Sequence, residues 1–198
     1  MGRLGIGQNL DTFEKLRAAY AEGHRRYHTS EHINQCFAAL DGVRHLVRQP
    51  DEVELALWFH DAVYVTRSKN NESTSAMWAT AFLEANAVDP ERVQRIHNLI
   101  MATRHDAFAQ DPDTSLLIDI DLSILGADQG IFARFEQNVR KEYWWVPSTL
   151  FRRTRAAILK SFLDRPSVYA TAHFRDRLES AARRNLAMAI ATLVKESK

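Results

Sequence analysis

Apolar residues recur three and four places apart along almost the whole chain, and period-two alternation over β-branched residues is nearly absent. That pattern restricts the chain to an all-α fold. It predicts a single-domain helical bundle over residues 1–198, with its core over about 20–195. Asp11, with Glu14 three places on, reads as a capping pair for a first helix with Phe13, Leu16 and Tyr20 inward, and Gly23 can end it. Ser30 is expected to cap a second helix that buries His32, Ile33, Cys36, Phe37, Leu40 and Leu46 or Val47. Pro50-Asp51 opens a third. Its residues Val53, Leu55, Ala56, Leu57, Trp58 and Phe59 are apolar nearly all round, the mark of a central buried helix that His60 and Asp61 close.

A fourth helix runs from about Asn71 through Leu83, and Asp89-Pro90 starts a fifth with Val93, Ile96, His97 and Ile100 on its stripe. The sixth carries Leu117, Ile120, Asp121 and Ile124 on one side and stops at Gly126. Three more are expected near 128–143, 148–163 and 172–195, separated by Pro147 and Pro166. Trp144-Trp145-Val146-Pro147 reads as a packed corner between helices, with a partner surface as the alternative.

Length and charge narrow the functional classes. With 198 residues and 45% of them hydrophobic, the chain can bury one substantial core without disulfide or metal staples. The 26 Lys+Arg and 25 Asp+Glu nearly cancel, so no global field points to a nucleic-acid polymer or an anionic membrane. The densest basic run, Arg152-Arg153-Thr154-Arg155, reads as a solvated helix face. Cys36 is the single cysteine, which fits a reducing, cytoplasmic compartment and a role as core filler. No stretch approaches the ~18 continuous apolar residues of a membrane span.

Against this background the polar residues on buried stripes stand out. His32 lies on the core face of the second helix, His60-Asp61 follows the most apolar segment of the chain, and Asp121 sits among Leu117, Ile120, Ile124 and Leu125. An ionised carboxylate in such surroundings needs a cation or a dense hydrogen-bond network. Asp119 is ~200° from Asp121 around a helix, so both do not face one centre, and Asp119 is left to a supporting or surface position. His32, His60, Asp61 and Asp121 together offer two nitrogens and two oxygens. This set suits one divalent ion such as Mn²⁺, Fe²⁺, Ni²⁺, Co²⁺ or Mg²⁺ and leaves positions for water or substrate. His24, His45, His97 and His173 read as ordinary packed or surface histidines.

An early His, a His-Asp doublet at a helix end and a late Asp resemble the H…HD…D pattern of the HD superfamily of metal-dependent phosphohydrolases. The likeness extends to several blocks in the same order. These are Tyr27-His28-x-x-x-His32-Ile33, Ala56-x-Trp58-Phe59-His60-Asp61-Ala62-Val63-Tyr64, Asn71-Glu72-x-x-Ser75-Ala76, Thr103-x-His105, Asp119-x-Asp121-Leu122-Ser123-Ile124-Leu125-Gly126 and Glu142-Tyr143. The resemblance, to a bacterial branch of predicted HD phosphohydrolases, implies a bundle of the HD-domain type with one divalent metal on His32, His60, Asp61 and Asp121. It also implies hydrolysis of a small phosphorylated substrate, an ester or anhydride, often a nucleotide.

Helpers are open to two readings each. His28 is a phosphate contact, general acid or second-metal ligand, or else a helix-entry residue. Glu72 orients or deprotonates the attacking water, or complements a helix dipole. His105 donates to a leaving oxygen, or caps its helix. Arg25 and Arg155 match positions in the family and are candidates to clamp phosphate. The alternatives to a hydrolase are a metal- or nucleotide-binding module without turnover, an HD-type oxidoreductase with two irons, and a helical interaction protein without metal. Oligomeric state is not set by the sequence.

Overall fold

The computed structural model describes residues 9–105 and 111–195. Among them the chain forms nine α-helices and no strand, so the fold class is all-α. None of these helices is long and apolar enough to cross a membrane. The chain divides into two compact units, Met1–Asp121 and Leu122–Lys198.

The first unit holds α1 (Leu10–Tyr20), α2 (Ser30–Val43), α3 (Pro50–Phe59), α4 (Asn71–Ala85), α5 (Pro90–Ala102) and α6 (Pro112–Asp121). Helix α3 is central, packing against α2, α4, α5 and α6. Val53, Leu55, Ala56, Leu57 and Phe59 are all buried, which is why this segment is apolar nearly all round. Each large apolar side chain so buried contributes roughly 1.5–3 kcal/mol relative to exposure. Helix α3 has no side-chain cap of its own, but buried Asp113 accepts from the amides of Arg48 and Gln49 just ahead of Pro50, at 2.8 and 2.7 Å. Buried Glu52 is neutralised from α5 by Arg92 and Arg95.

Helix starts depart from the sequence reading at two places. Asn9, not Asp11, caps α1 by accepting from the Thr12 amide, and Asp11 pairs with Lys15 on the surface. Thr29, not Ser30, caps α2, because Thr29 holds the extended backbone that turns its hydroxyl back to the Glu31 amide. At α5 the Asp89 carboxylate accepts from the Glu91 and Arg92 amides ahead of Pro90, as its sequence requires. Phe13 is more exposed than its stripe predicts and lies edge-on to Trp58 at 5.8 Å.

The second unit holds a 3₁₀ segment (Leu122–Gly126), α7 (Gln129–Glu142), α8 (Ser148–Leu163) and α9 (Ala172–Lys195). The 3₁₀ segment lies against α7 and α9, and α8 packs on α9. Buried Asn185 of α9 donates to the carbonyls of Leu125 and Ala127 at 2.9 and 2.8 Å. Gly126 allows this close approach, since a Cβ there would stand 2.6 Å from Leu178 Cβ and 3.0 Å from the Leu178 carbonyl. Gly126→Ala is therefore expected to lower stability by about 1–3 kcal/mol, read from the urea midpoint, because α9 backbone must move. Trp144 departs from a packed corner, being 76% exposed beside half-buried Tyr143 and Trp145.

Glu179 organises the turn between α8 and α9. Its carboxylate accepts from the amides of Val168 and Tyr169, the Ser167 hydroxyl and Arg183. Partial burial alone would raise its pKa, but these donors outweigh burial and hold it below the usual carboxylate range. A lowered folded value means that its contribution is present above the unfolded pKa of about 4.3 and fades as pH falls through the folded value. Glu179→Gln is expected to lose about 1–3 kcal/mol near neutral pH. The gap to wild type closes as the medium is acidified, and urea titrations across that range measure it.

Candidate metal centre

Three helices deliver the four predicted ligands to one point within the first unit. His32 projects from the buried stripe of α2, His60 and Asp61 follow the last turn of α3, and Asp121 is the final residue of α6. His32 Nε2 and His60 Nε2 are 3.3 Å apart. Asp61 Oδ2 lies 3.1 Å from His60 Nε2 and 3.7 Å from His32 Nε2. Asp121 Oδ1 lies 3.1 Å from His32 Nε2 and 3.5 Å from His60 Nε2. Donor atoms about 2.0–2.2 Å from one ion are separated by about 3.0–3.6 Å when they are neighbours in its coordination sphere. Four of these five separations fall in that range and the fifth, 3.7 Å, lies just outside it, so these side chains could hold a divalent ion.

The imidazoles are almost fully enclosed, while Asp61 and Asp121 keep 17% and 13% side-chain exposure, so solvent reaches the centre over the carboxylates. Three of the four have a further partner. His60 Nδ1 is 2.8 Å from the Leu57 carbonyl, which must accept, so this nitrogen carries a proton. The Tyr27 hydroxyl lies 3.0 Å from His32 Nδ1, and His105 Nε2 lies 3.0 Å from Asp121 Oδ2, the oxygen turned away from His32 and His60.

Electrostatics follow from this crowding. Burial opposes the charged forms of His60, Asp61 and Asp121, but opposite charge prevails. His60 is held well above the ordinary imidazole range by Asp61 and Asp121. Asp61 is pulled below the carboxylate range by His60, His28 and His32, and Asp121 by His105, His32 and His60. The neighbouring imidazoles thus favour the ionised form of both carboxylates.

The other candidates are distributed as follows. His28 lies in the turn entering α2, its ring stacked on Tyr64 at 4.1 Å and edge-on to His32 at 6.2 Å. Glu72 sits half-buried in the first turn of α4. That turn is tied to the segment after the doublet by Ser75, which accepts from the Val63 amide, and by Asn71, which bonds both backbone groups of Val65. His105, three residues past the last residue of α5, holds a left-handed conformation, φ 58°, uncommon for a residue with a Cβ.

Arg25 is fully buried and its guanidinium is committed to the chain itself. It donates to the carbonyls of His28, Asp61 and Ala62 at 3.2, 2.7 and 3.0 Å and pairs with Glu22. Arg155 belongs to the second unit, where it pairs with Glu136 and lies over the Phe135 ring. His24, His97 and His173 bond the Tyr64 carbonyl, Thr80 and Arg177 respectively.

Cys36 is buried in the core as the sequence led one to expect, and both it and Tyr27, to which the sequence assigned no role, touch His32. The i,i+4 spacing of His32 and Cys36 was the signal available for the sulfur contact. Asp119 is fully buried, which removes the surface option left to it. Comparison of the chain with protein-family models, curated proteins and solved structures gives no match.

Proposed function

We propose that the chain is a metal-dependent phosphohydrolase of HD type that binds one divalent ion through His32, His60, Asp61 and Asp121 and cleaves a phosphate ester or anhydride. The observation that carries this reading is that two imidazole nitrogens lie 3.3 Å apart, each with an oxygen of Asp61 and of Asp121 at 3.1–3.7 Å. The ordered motif blocks add the reaction class. A divalent ion held there supplies Lewis acidity toward a phosphoryl oxygen and acidifies a water for attack on phosphorus.

The remaining work falls to the chain. Glu72, whose carboxylate makes no hydrogen bond or ion pair among the described residues, takes the proton of the attacking water. His28, half-buried with its ring 6.2 Å from that of His32, donates to a phosphoryl or leaving oxygen. His105 is a positioning residue, fixing the outer oxygen of Asp121 so that Oδ1 faces His32 and His60. A left-handed non-glycine backbone costs about 1–3 kcal/mol and persists where surrounding contacts impose it. Arg25 positions the doublet by gripping the carbonyls of Asp61 and Ala62 and takes no part in holding phosphate. Arg155, paired to Glu136, is given no role.

The test is a panel of phosphate monoesters, nucleotides and phosphoanhydrides assayed with Mn²⁺, Co²⁺, Ni²⁺, Fe²⁺ or Mg²⁺. Divalent-dependent release of phosphate or pyrophosphate is expected, with Glu72→Gln lowering kcat by about 10²–10⁴ and leaving KM nearly unchanged. Metal bound at the centre without turnover of any panel member contradicts the hydrolase and leaves a binding module.

A further inference from the structure

Among the described residues the Tyr27 hydroxyl is the one oxygen at hydrogen-bond distance from His32 Nδ1, at 3.0 Å. Tyr27 is half-buried, its ring tilted against that of His32 with centroids 4.7 Å apart and edge-on to His28 at 4.9 Å. The turn that carries it is tied on both sides. The Thr29 amide donates to the Tyr27 carbonyl at 2.7 Å as Thr29 caps α2, and Arg25, which grips the carbonyls of Asp61 and Ala62, also donates to that of His28. At the far side of the imidazole, Nε2 lies 3.1 Å from Asp121 Oδ1 and 3.3 Å from His60 Nε2. Turning this ring over about its Cβ–Cγ bond would exchange each nitrogen with a carbon, setting one carbon against the hydroxyl and another against the carboxylate. The contact with Tyr27 opposes that turn.

We propose that Tyr27 is a positioning residue of this centre, its hydroxyl keeping the His32 ring turned so that Nε2 faces His60, Asp61 and Asp121. The inference rests on the reading of these four residues as a metal site. The two histidines are held by different chemistry. His60 Nδ1 faces the Leu57 carbonyl, which only accepts, so that nitrogen is fixed as a donor. His32 Nδ1 faces a hydroxyl, which donates to a bare ring nitrogen and accepts from a protonated one. The ring therefore keeps one orientation with its proton on either nitrogen, with Nε2–H toward Asp121 Oδ1 or Nδ1–H toward Tyr27. An ion at Nε2 requires the second arrangement. Phenylalanine at this position keeps the aromatic ring but leaves Nδ1 without an oxygen partner and His32 free to turn over, so that part of the ion's binding energy goes into restoring the ring.

The experiment compares the full-length wild-type protein with Tyr27→Phe and Tyr27→Leu. Co²⁺ affinity is followed by visible absorbance, and proton magnetic resonance spectra of the Co²⁺-loaded proteins are recorded in light and heavy water. A bound Co²⁺ shifts the ring N–H of each coordinating histidine far from the crowded region, so His32 and His60 each contribute one exchangeable signal. Wild type is expected to show both. In the variants the His32 signal broadens or disappears through exchange with water, the His60 signal held by the Leu57 carbonyl remains, and Co²⁺ affinity falls about 10- to 100-fold. Urea unfolding of the metal-free proteins reports packing, and Tyr27→Phe, which keeps the ring, is expected to stay closer to the wild-type midpoint than Tyr27→Leu. Both signals retained in Tyr27→Phe with unchanged Co²⁺ affinity overturn the inference, whatever the urea midpoint, and leave the four-ligand centre intact. No Co²⁺ bound to wild type overturns the centre and this inference with it.

Discussion

Asp61→Ala is expected to abolish the stabilisation that Mn²⁺ gives the wild-type protein. An ion that binds only the folded chain adds about 2.7 kcal/mol at a hundredfold excess over its Kd. For a chain of this length each kcal/mol moves Tm by about 2–4 °C, so wild type should gain about 5–10 °C on Mn²⁺ addition. Asp61 Oδ2 is one of two carboxylate oxygens near both imidazole nitrogens, and alanine removes it without touching the others. The Asp61 carbonyl, which accepts from Arg25, belongs to the backbone and survives the substitution. The turn should therefore hold while the metal shift disappears. An undiminished shift in the variant would remove Asp61 from the ligand set.

Arg25→Met carries the second large effect, and it acts through the fold as well as the site. The guanidinium has no solvent exposure and lies between the rings of Tyr20 and Tyr64 at 5.3 and 5.5 Å while donating to three carbonyls. Methionine fills similar volume but leaves those carbonyls without a donor, at about 1–3 kcal/mol for each buried group, and the costs do not add fully. A loss of about 3–5 kcal/mol is expected from urea unfolding. Mn²⁺ affinity should fall about 10- to 100-fold, because the doublet is no longer held in register with His32 and Asp121. Arg25→Lys should recover little, since one ammonium cannot reproduce a planar fork reaching His28, Asp61 and Ala62. Stability within about 1 kcal/mol of wild type together with unchanged affinity would show that the buried arginine does not organise the turn.

How far each feature could be read in the sequence depends on the range of the interaction behind it. Helix α3 was legible because burial on all sides leaves an unbroken apolar run, and α5 because Asp89-Pro90 is a local device. The approach of His32, His60, Asp61 and Asp121 followed from polar residues among apolar neighbours; the two histidines are buried, whereas the two aspartates keep partial exposure. The cap of α2 was missed by one residue, since Thr29 and Ser30 are chemically alike and only backbone geometry chooses between them. Arg25 read as a phosphate clamp because its partners, the carbonyls of Asp61 and Ala62, lie 36 and 37 residues away and are backbone atoms that no sequence pattern marks. Cys36 was legible as core filler because it lies on the apolar stripe of α2, and it is buried there against the His32 ring.

Metal content tests the central claim most directly. Protein purified without a chelating column, then incubated with Mn²⁺, Fe²⁺, Ni²⁺, Co²⁺ or Mg²⁺ and desalted, is analysed for bound elements beside His60→Ala and Asp61→Ala. About one divalent ion per wild-type chain, lost from both variants, is the predicted result, one ion being what four such ligands hold. No bound ion in wild type with any of these metals would contradict the centre and the hydrolase built on it.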